Sequence, residues 1–272
     1  MEGEKKGVGH YLGKVARAVL IIVSALIFIF LLLASTEESS TEATEQAPDW
    51  VFENGIWKCN RTTPKETDPD FRRALQLLYD RANDGKKSPD NRNVAMCVDI
   101  VASDSTVGQA SAVFLTDENT TRDNLTIYVA PEYKEQNVLV TAMLLKHEIT
   151  HVYQALIESE TKQGMDCIDS EIQAFMAERV FFYDFLNAEE RTLLLNKAIN
   201  LKNGRFRPES DRVAETYQNI YMVANKFTNA MKKCSNYDKS APEFWNCTDN
   251  DMMYAIRQDL VQDPYYINQC KL

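Results

Sequence analysis

The residues able to do chemistry crowd into "KHEITHVYQ", where His147, Glu148 and His151 lie inside the apolar run from Thr141 to Glu158. On a helix, side chains at i and i+4 stand on one face a turn apart. His147 and His151 can therefore offer two imidazoles to a single metal ion. Glu148, next to the first of them, is placed to accept a proton from a water activated at that ion. The chain holds only three histidines, and the third is the distant His10, so a chance match to H-E-x-x-H is rare. Met143, Leu144, Ile149, Val152 and Ala155 embed the motif in what reads as a buried helix. Polar groups sunk there without a partner are costly, which favours a metal over an accidental pair.

Two ligands need a third, and no histidine follows His151. Glu158 lies on the same helix at about 1.5 Å of rise per residue, or roughly 10 Å beyond His151, too far to share an ion. A ligand must come from a segment that turns back. "GMDCIDSEIQAFMAE" provides one: Gly164 ends the first helix, and Asp166, Asp169 or Ser170 can cap the next. Glu171 is then the first glutamate on an apolar helix able to pack antiparallel against the motif helix. Asp166 and Asp169 are the competing third ligands.

The elements that must position these groups fall in two blocks. "DPDFRRALQLLYDRAND" has the stripe of a first helix. "NVAMCVDIVAS", "QASAVFLTD" and "NLTIYVAP" are β-prone, and the polar "ENTTRD" between the last two reads as a hairpin turn. After Pro131 the pattern is helical: the motif helix, "SEIQAFMAERVFFYDFL", "AEERTLLLNKAIN", "DRVAETYQNIYMVANKFTNAMKK" and a short "NDMMYAIRQDL". Strands followed by helices imply an α+β fold, an N-terminal strand hairpin with the motif helix and then a helical C-terminal part.

"HEITH" followed by "SEIQAF" resembles the gluzincin class, the thermolysin-like zinc metallopeptidases with a zincin-like fold. The resemblance covers residues 141–180. It implies one zinc ion held by His147, His151 and Glu171, with Glu148 as general base in the attack of zinc-bound water on a peptide bond. It also implies that the strand before the motif helix, "NLTIYVAP", is the edge that pairs with an extended peptide substrate. Two features of the class are missing here. No Asp follows Glu171 before Asp184, so support for a ligand histidine must come from elsewhere, with Glu178 as candidate. No later histidine can stabilise the oxyanion, which leaves Tyr183, Tyr217, Tyr221 and Arg179 as candidates. A catalytically inactive zincin-fold ectodomain used for binding or scaffolding is the alternative reading, and a closed structural zinc site is a third.

Composition sets the surroundings. A net charge of −10 repels polyanions and argues against nucleic acid as a partner. The substrate expected is a peptide or protein. Residues 18–36 carry no charge and are nearly all apolar, long enough for a membrane span. Lys5, Lys6, Lys14 and Arg17 precede them, and Glu37, Glu38, Glu42 and Glu45 follow. The expectation is a single-pass anchor with residues 1–17 cytoplasmic, an acidic linker over 37–48, and a metallopeptidase-like ectodomain over 49–272. A cleaved signal peptide is the alternative. All six cysteines lie beyond the apolar stretch, an even number that suits disulfides in an oxidising compartment, with 15 connectivities open. Asn60, Asn119, Asn124 and Asn246 head N-x-S/T sequons.

Overall fold

The side chain of Asn137 accepts a hydrogen bond from the Leu139 N–H and starts the helix on which the rest of the chain packs. The computed structural model describes residues 49–271, apart from 54–55, 62–64, 66, 84–93 and 116–121. In chain order the elements are β1 (Trp50–Glu53), β2 (Ile56–Cys59), α1 (Pro69–Asn83), a 3-10 turn (Val94–Cys97), β3 (Asp99–Ala102), α2 (Asp104–Val107), β4 (Ala112–Phe114) and β5 (Thr126–Val129). A 3-10 turn (Pro131–Glu135) leads into α3 (Val138–Thr161) and α4 (Cys167–Val180), and a π-helical turn (Phe181–Phe185) extends α4. Then come α5 (Ala188–Lys202), α6 (Asp211–Lys233), α7 (Pro242–Leu260) and α8 (Pro264–Cys270).

The α+β expectation needs correction. Helix takes 69% of the described residues, and the strands form only a two-stranded and a three-stranded sheet. The cause is length: the strands run three or four residues, whereas α3, α6 and α7 run 24, 23 and 19. Part of the β-prone "NVAMCVDIVAS" is spent on the 3-10 turn, whose Cys97 is bonded to Cys59, and only Asp99–Ala102 extends as a strand.

The membrane-anchored placement is also corrected. No helix among the described residues is long and apolar enough to cross a membrane, and the span expected over residues 18–36 lies outside those residues. What the structure does support is an oxidising environment. Three disulfides, Cys59–Cys97, Cys167–Cys270 and Cys234–Cys247, use all six cysteines and resolve the connectivity.

In the three-stranded sheet the order is β3-β5-β4, with β5 parallel to β3 and antiparallel to β4. The hairpin expected between β4 and β5 is present. The expected substrate edge is not where the sequence suggested. β5 is the central strand, with Ile127 and Val129 fully buried, and β4 is the edge. The β1–β2 hairpin had a signal that the sequence reading passed over: Glu53 pairs with Ile56, and the dipeptide between them is Asn54-Gly55, a favoured hairpin connection.

Two apolar clusters hold the helices. The larger joins the sheet, α1, α3, α5 and α6 through residues such as Phe71, Leu75, Val140, Leu145 and Ile149. The smaller packs Ile168, Ile172 and Phe175 of α4 against Val223 and Phe227 of α6 and Met252 and Ile256 of α7. The first two turns of the motif helix, Leu139 to Leu145, are buried all round and have no polar face, whereas Ile157 to Thr161 at its far end are exposed. Leu75 of α1 is fully buried in the cluster that also holds α3. We expect Leu75→Ala to lower stability by about 2–5 kcal/mol in denaturant titration. An unchanged midpoint would contradict this packing.

Candidate metal centre

α3 and α4 form an antiparallel hairpin, which the cross-helix bonds trace rung by rung. Gln154 Nε2 donates to Ser170 O at 3.0 Å, His151 faces Glu171, and His147 faces Glu178. The reversal between the helices is built locally. Lys162 adopts a left-handed conformation (φ 56°) and its N–H closes onto Glu158 O, so α3 ends at Thr161, short of Gly164. A Cβ at Gly164 would come within 2.9 Å of Glu158 Oε1, so the chain can pass there only as glycine unless that side chain moves. Asp166 then caps α4, accepting from Ile168 N and Asp169 N.

This hairpin brings the three expected ligands together. His147, His151 and Glu171 each offer an atom, and these atoms lie within 4.8 Å of one another, so the group can hold a metal ion. His147 Nε2 is 3.2 Å from Glu171 Oε2, and His151 Nε2 is 3.7 Å from Glu171 Oε1. The other ring nitrogens are occupied from behind. His147 Nδ1 meets Glu178 Oε1 at 2.7 Å, while His151 Nδ1 meets Gln154 Oε1 at 2.9 Å and Ser170 Oγ at 3.3 Å. Such partners fix which nitrogen of a ligand histidine points at the metal. Both Nε2 atoms therefore aim at one point beside Glu171. Glu178 takes the supporting role proposed for it from the sequence, and Gln154 and Ser170, which the sequence reading did not single out for it, serve His151.

The competing ligands are spoken for. Asp166 is a helix cap, and Asp169 is paired with Arg257 of α7. None of the proposed oxyanion groups reaches the site. Tyr183 donates to Ala224 O, Tyr217 is buried against Phe206, Tyr221 meets Lys202, and Arg179 binds Asp249 and Asp184. The tyrosines that do line the cleft are Tyr265 and Tyr266 of α8. They reach it because the Cys167–Cys270 disulfide ties the end of α8 to the start of α4, and because Gln269 Nε2 donates to Glu171 Oε1 at 3.1 Å. Their sequence signal was nearly nil, since "PYYINQC" lies about a hundred residues from the motif and only a known disulfide would have joined the two.

Charge is dense here. Glu148, Glu171 and Glu178 are 7%, 4% and 4% exposed. Burial pulls the pKa of His147 down, but hydrogen bonds to Glu171 and Glu178 outweigh it and hold the ring well above its ordinary value. A metal ion at Nε2 would take the place of the proton that this nitrogen shares with Glu171, leaving Nδ1–H to donate to Glu178. Burial raises Glu171, and the contact with His147 more than reverses this, so its pKa is lowered. For Glu178 burial prevails and its pKa is raised. Three buried carboxylates against two imidazoles leave an excess of negative charge that a dication offsets, and the donor set of two imidazoles and one carboxylate suits such an ion. The fit is good.

Glu148 is not one of the ligands. Its Oε2 accepts the Phe114 N–H of β4 at 3.1 Å, which holds the carboxylate between the motif helix and the sheet edge. The cleft in front of it has a volume of about 350 Å³ and is walled by β4, α3, α4, α6 and α8.

No family model, curated protein or solved structure matches this chain.

The geometry sorts the acidic residues by role. Glu171→Ala should abolish stoichiometric metal in the purified protein, whereas Asp169→Ala should retain it; metal analysis of both decides. Glu178→Ala should weaken affinity by about 10- to 100-fold without emptying the site, the usual cost of losing a histidine's outer partner.

Proposed function

We propose that the protein is a zinc-dependent metallopeptidase of the gluzincin type, with His147, His151 and Glu171 as ligands and Glu148 as the general base. The carrying observation is the convergence of both Nε2 atoms on Glu171 beside a buried carboxylate, Glu148, that lies outside the ligand set. Two imidazoles and one carboxylate are the donor set of catalytic zinc sites, in which a fourth position is left for reactants. A zinc ion held there supplies Lewis acidity, polarising a carbonyl oxygen and easing deprotonation of water.

The chain's own groups do the rest. Glu148 takes the proton of the attacking water and returns it to the departing amine. The Phe114 amide fixes one of its oxygens, and the other has no hydrogen bond among the described residues. Because Phe114 N points away from β5, the alternation of a strand turns the N–H and C=O of Ala112 the same way. The outer edge of β4 thus offers main-chain donors and acceptors to an extended chain laid across the cleft, which supports a peptide as substrate. The phenols of Tyr265 and Tyr266 line the cleft, and burial first of all keeps them protonated, Tyr265 being pushed up to about 12. They are the neutral donors available to an oxyanion. Three disulfides suit work outside the reducing cytosol.

Glu148→Gln separates the roles. The variant should bind zinc with unchanged stoichiometry and lose hydrolysis of an unstructured protein substrate by a factor on the order of 10²–10⁴. Normal turnover by that variant would remove Glu148 from the mechanism. Zinc-loaded protein of native sequence that cuts no peptide in a diverse library would overturn the hydrolase reading.

A further inference from the structure

Among the described residues five carboxylates line the cleft, Glu148, Glu158, Glu171, Glu178 and Glu215, and no lysine or arginine does. Three are accounted for: Glu171 as a ligand, Glu178 behind His147, and Glu148 as the base. Glu158 is exposed, near the turn at Gly164. Glu215 is different. It projects from the first turns of α6, is only half-buried, and takes no part in the hydrolysis described above.

Among the described residues no lysine or arginine pairs with it, and a charge on His147 acts on it only at a distance. The one hydrogen bond to its carboxylate comes from Ser111 Oγ at 3.5 Å, at the limit of such a contact, and the same hydroxyl also reaches Arg212 O at 3.1 Å. The nearest cation along the helix is Arg212, one turn earlier. Its guanidinium is already bonded to Asp104, Glu132 and the Gly108 carbonyl. Among the described residues no ion pair involves Glu215. Burial first of all pushes its pKa up, and the charge of Asp263, which caps α8, adds to the push. Tyr265 and Tyr266 line the same cleft, near enough for the charge of Glu215 to act on both phenols. A carboxylate in a cleft that also holds two aromatic rings and, among the described residues, no lysine or arginine is an environment suited to an organic cation.

We propose that Glu215 makes this cleft selective for substrates that carry a cationic nitrogen, an ammonium or guanidinium group, close to the bond to be cut. The inference deepens the peptidase reading of the same site and rests on it. In a peptide such a group comes from a lysine or arginine side chain or from a free N-terminal amine. Either would be drawn in by the acidic cleft and would give Glu215 the partner that the fold withholds. An aliphatic residue of the same length would leave the carboxylate partly desolvated and unpaired.

The test uses binding, so that it does not depend on turnover. Zinc-loaded full chain carrying Glu148→Gln is titrated calorimetrically with three hexapeptides of otherwise identical neutral sequence. One has a free N-terminus and no basic side chain, one is N-acetylated with a single lysine, and one is N-acetylated with norleucine in place of the lysine. At least one cationic peptide should bind tenfold or more tightly than the norleucine peptide, and the arm that does so identifies the source of the cation. Adding Glu215→Gln should remove that advantage while leaving the zinc content unchanged. Equal affinity for all three peptides, no binding of any, or an advantage that survives Glu215→Gln would overturn the proposal. Failure of the peptidase reading shows separately: the zinc-loaded native sequence would leave all three peptides uncut while the preference dependent on Glu215 persists.

Discussion

The site depends on one arrangement, carboxylates set against imidazoles across an antiparallel helix hairpin inside the protein. Removing such groups from water costs several kcal/mol per charge by general estimates, and only close pairing makes it tolerable. Glu178 and Glu171 grip His147 from opposite sides of its ring, at 2.7 Å and 3.2 Å. That grip ties α4 to α3 at a fixed rotation and register. A slip of one residue would carry Glu171 about 100° around its helix and away from both histidines. The apolar cluster of Ile168, Ile172 and Phe175 on α4 secures the same register, with the Phe175 ring edge-on to His147 at 4.9 Å.

The sheet contributes by its edge. β4 is three residues long, too short to matter much to stability, yet it hands the Phe114 amide to Glu148 and forms one wall of the cleft. A buried carboxylate aimed by a backbone N–H is a stiffer device than one aimed by a side chain, because the strand has no rotamers to lose. The same bond sets Glu148 and the edge of β4 in one frame.

What the sequence made legible follows from the range of each signal. His147, Glu148 and His151 are joined by one helical turn, so spacing alone placed them. Glu171 and Glu178 needed only the next helix and the assumption that it folds back. α6 was readable over its whole length from its steady apolar stripe, with Val213, Tyr217, Ile220 and Phe227 buried as the pattern required. The fold class was not readable, because the β-prone runs are short and their Val and Ile content says nothing about how many residues will pair. Which strand lies at the edge was not readable either: β4 and β5 share composition, and only the pairing of β5 with β3 makes β5 central. The walls of the cleft were the least visible. Glu215, Tyr265 and Tyr266 come from α6 and α8, and nothing local in their segments marks them as neighbours of His147.

That division has a meaning for how such a protein can change. The three residues that could hold a metal ion, and Glu148 beside them, lie on α3 and α4, two helices buried in apolar clusters. Tyr265, Tyr266 and Gln269 instead ride on a seven-residue helix tethered by one covalent bond, Cys167–Cys270. None of the groups on that helix except Gln269 holds a ligand residue in place. Substitutions along it can therefore reshape what the cleft admits while the reacting groups stay where the hairpin puts them. One wall of the cleft is thus inherited apart from the hairpin, and it is the wall freer to vary.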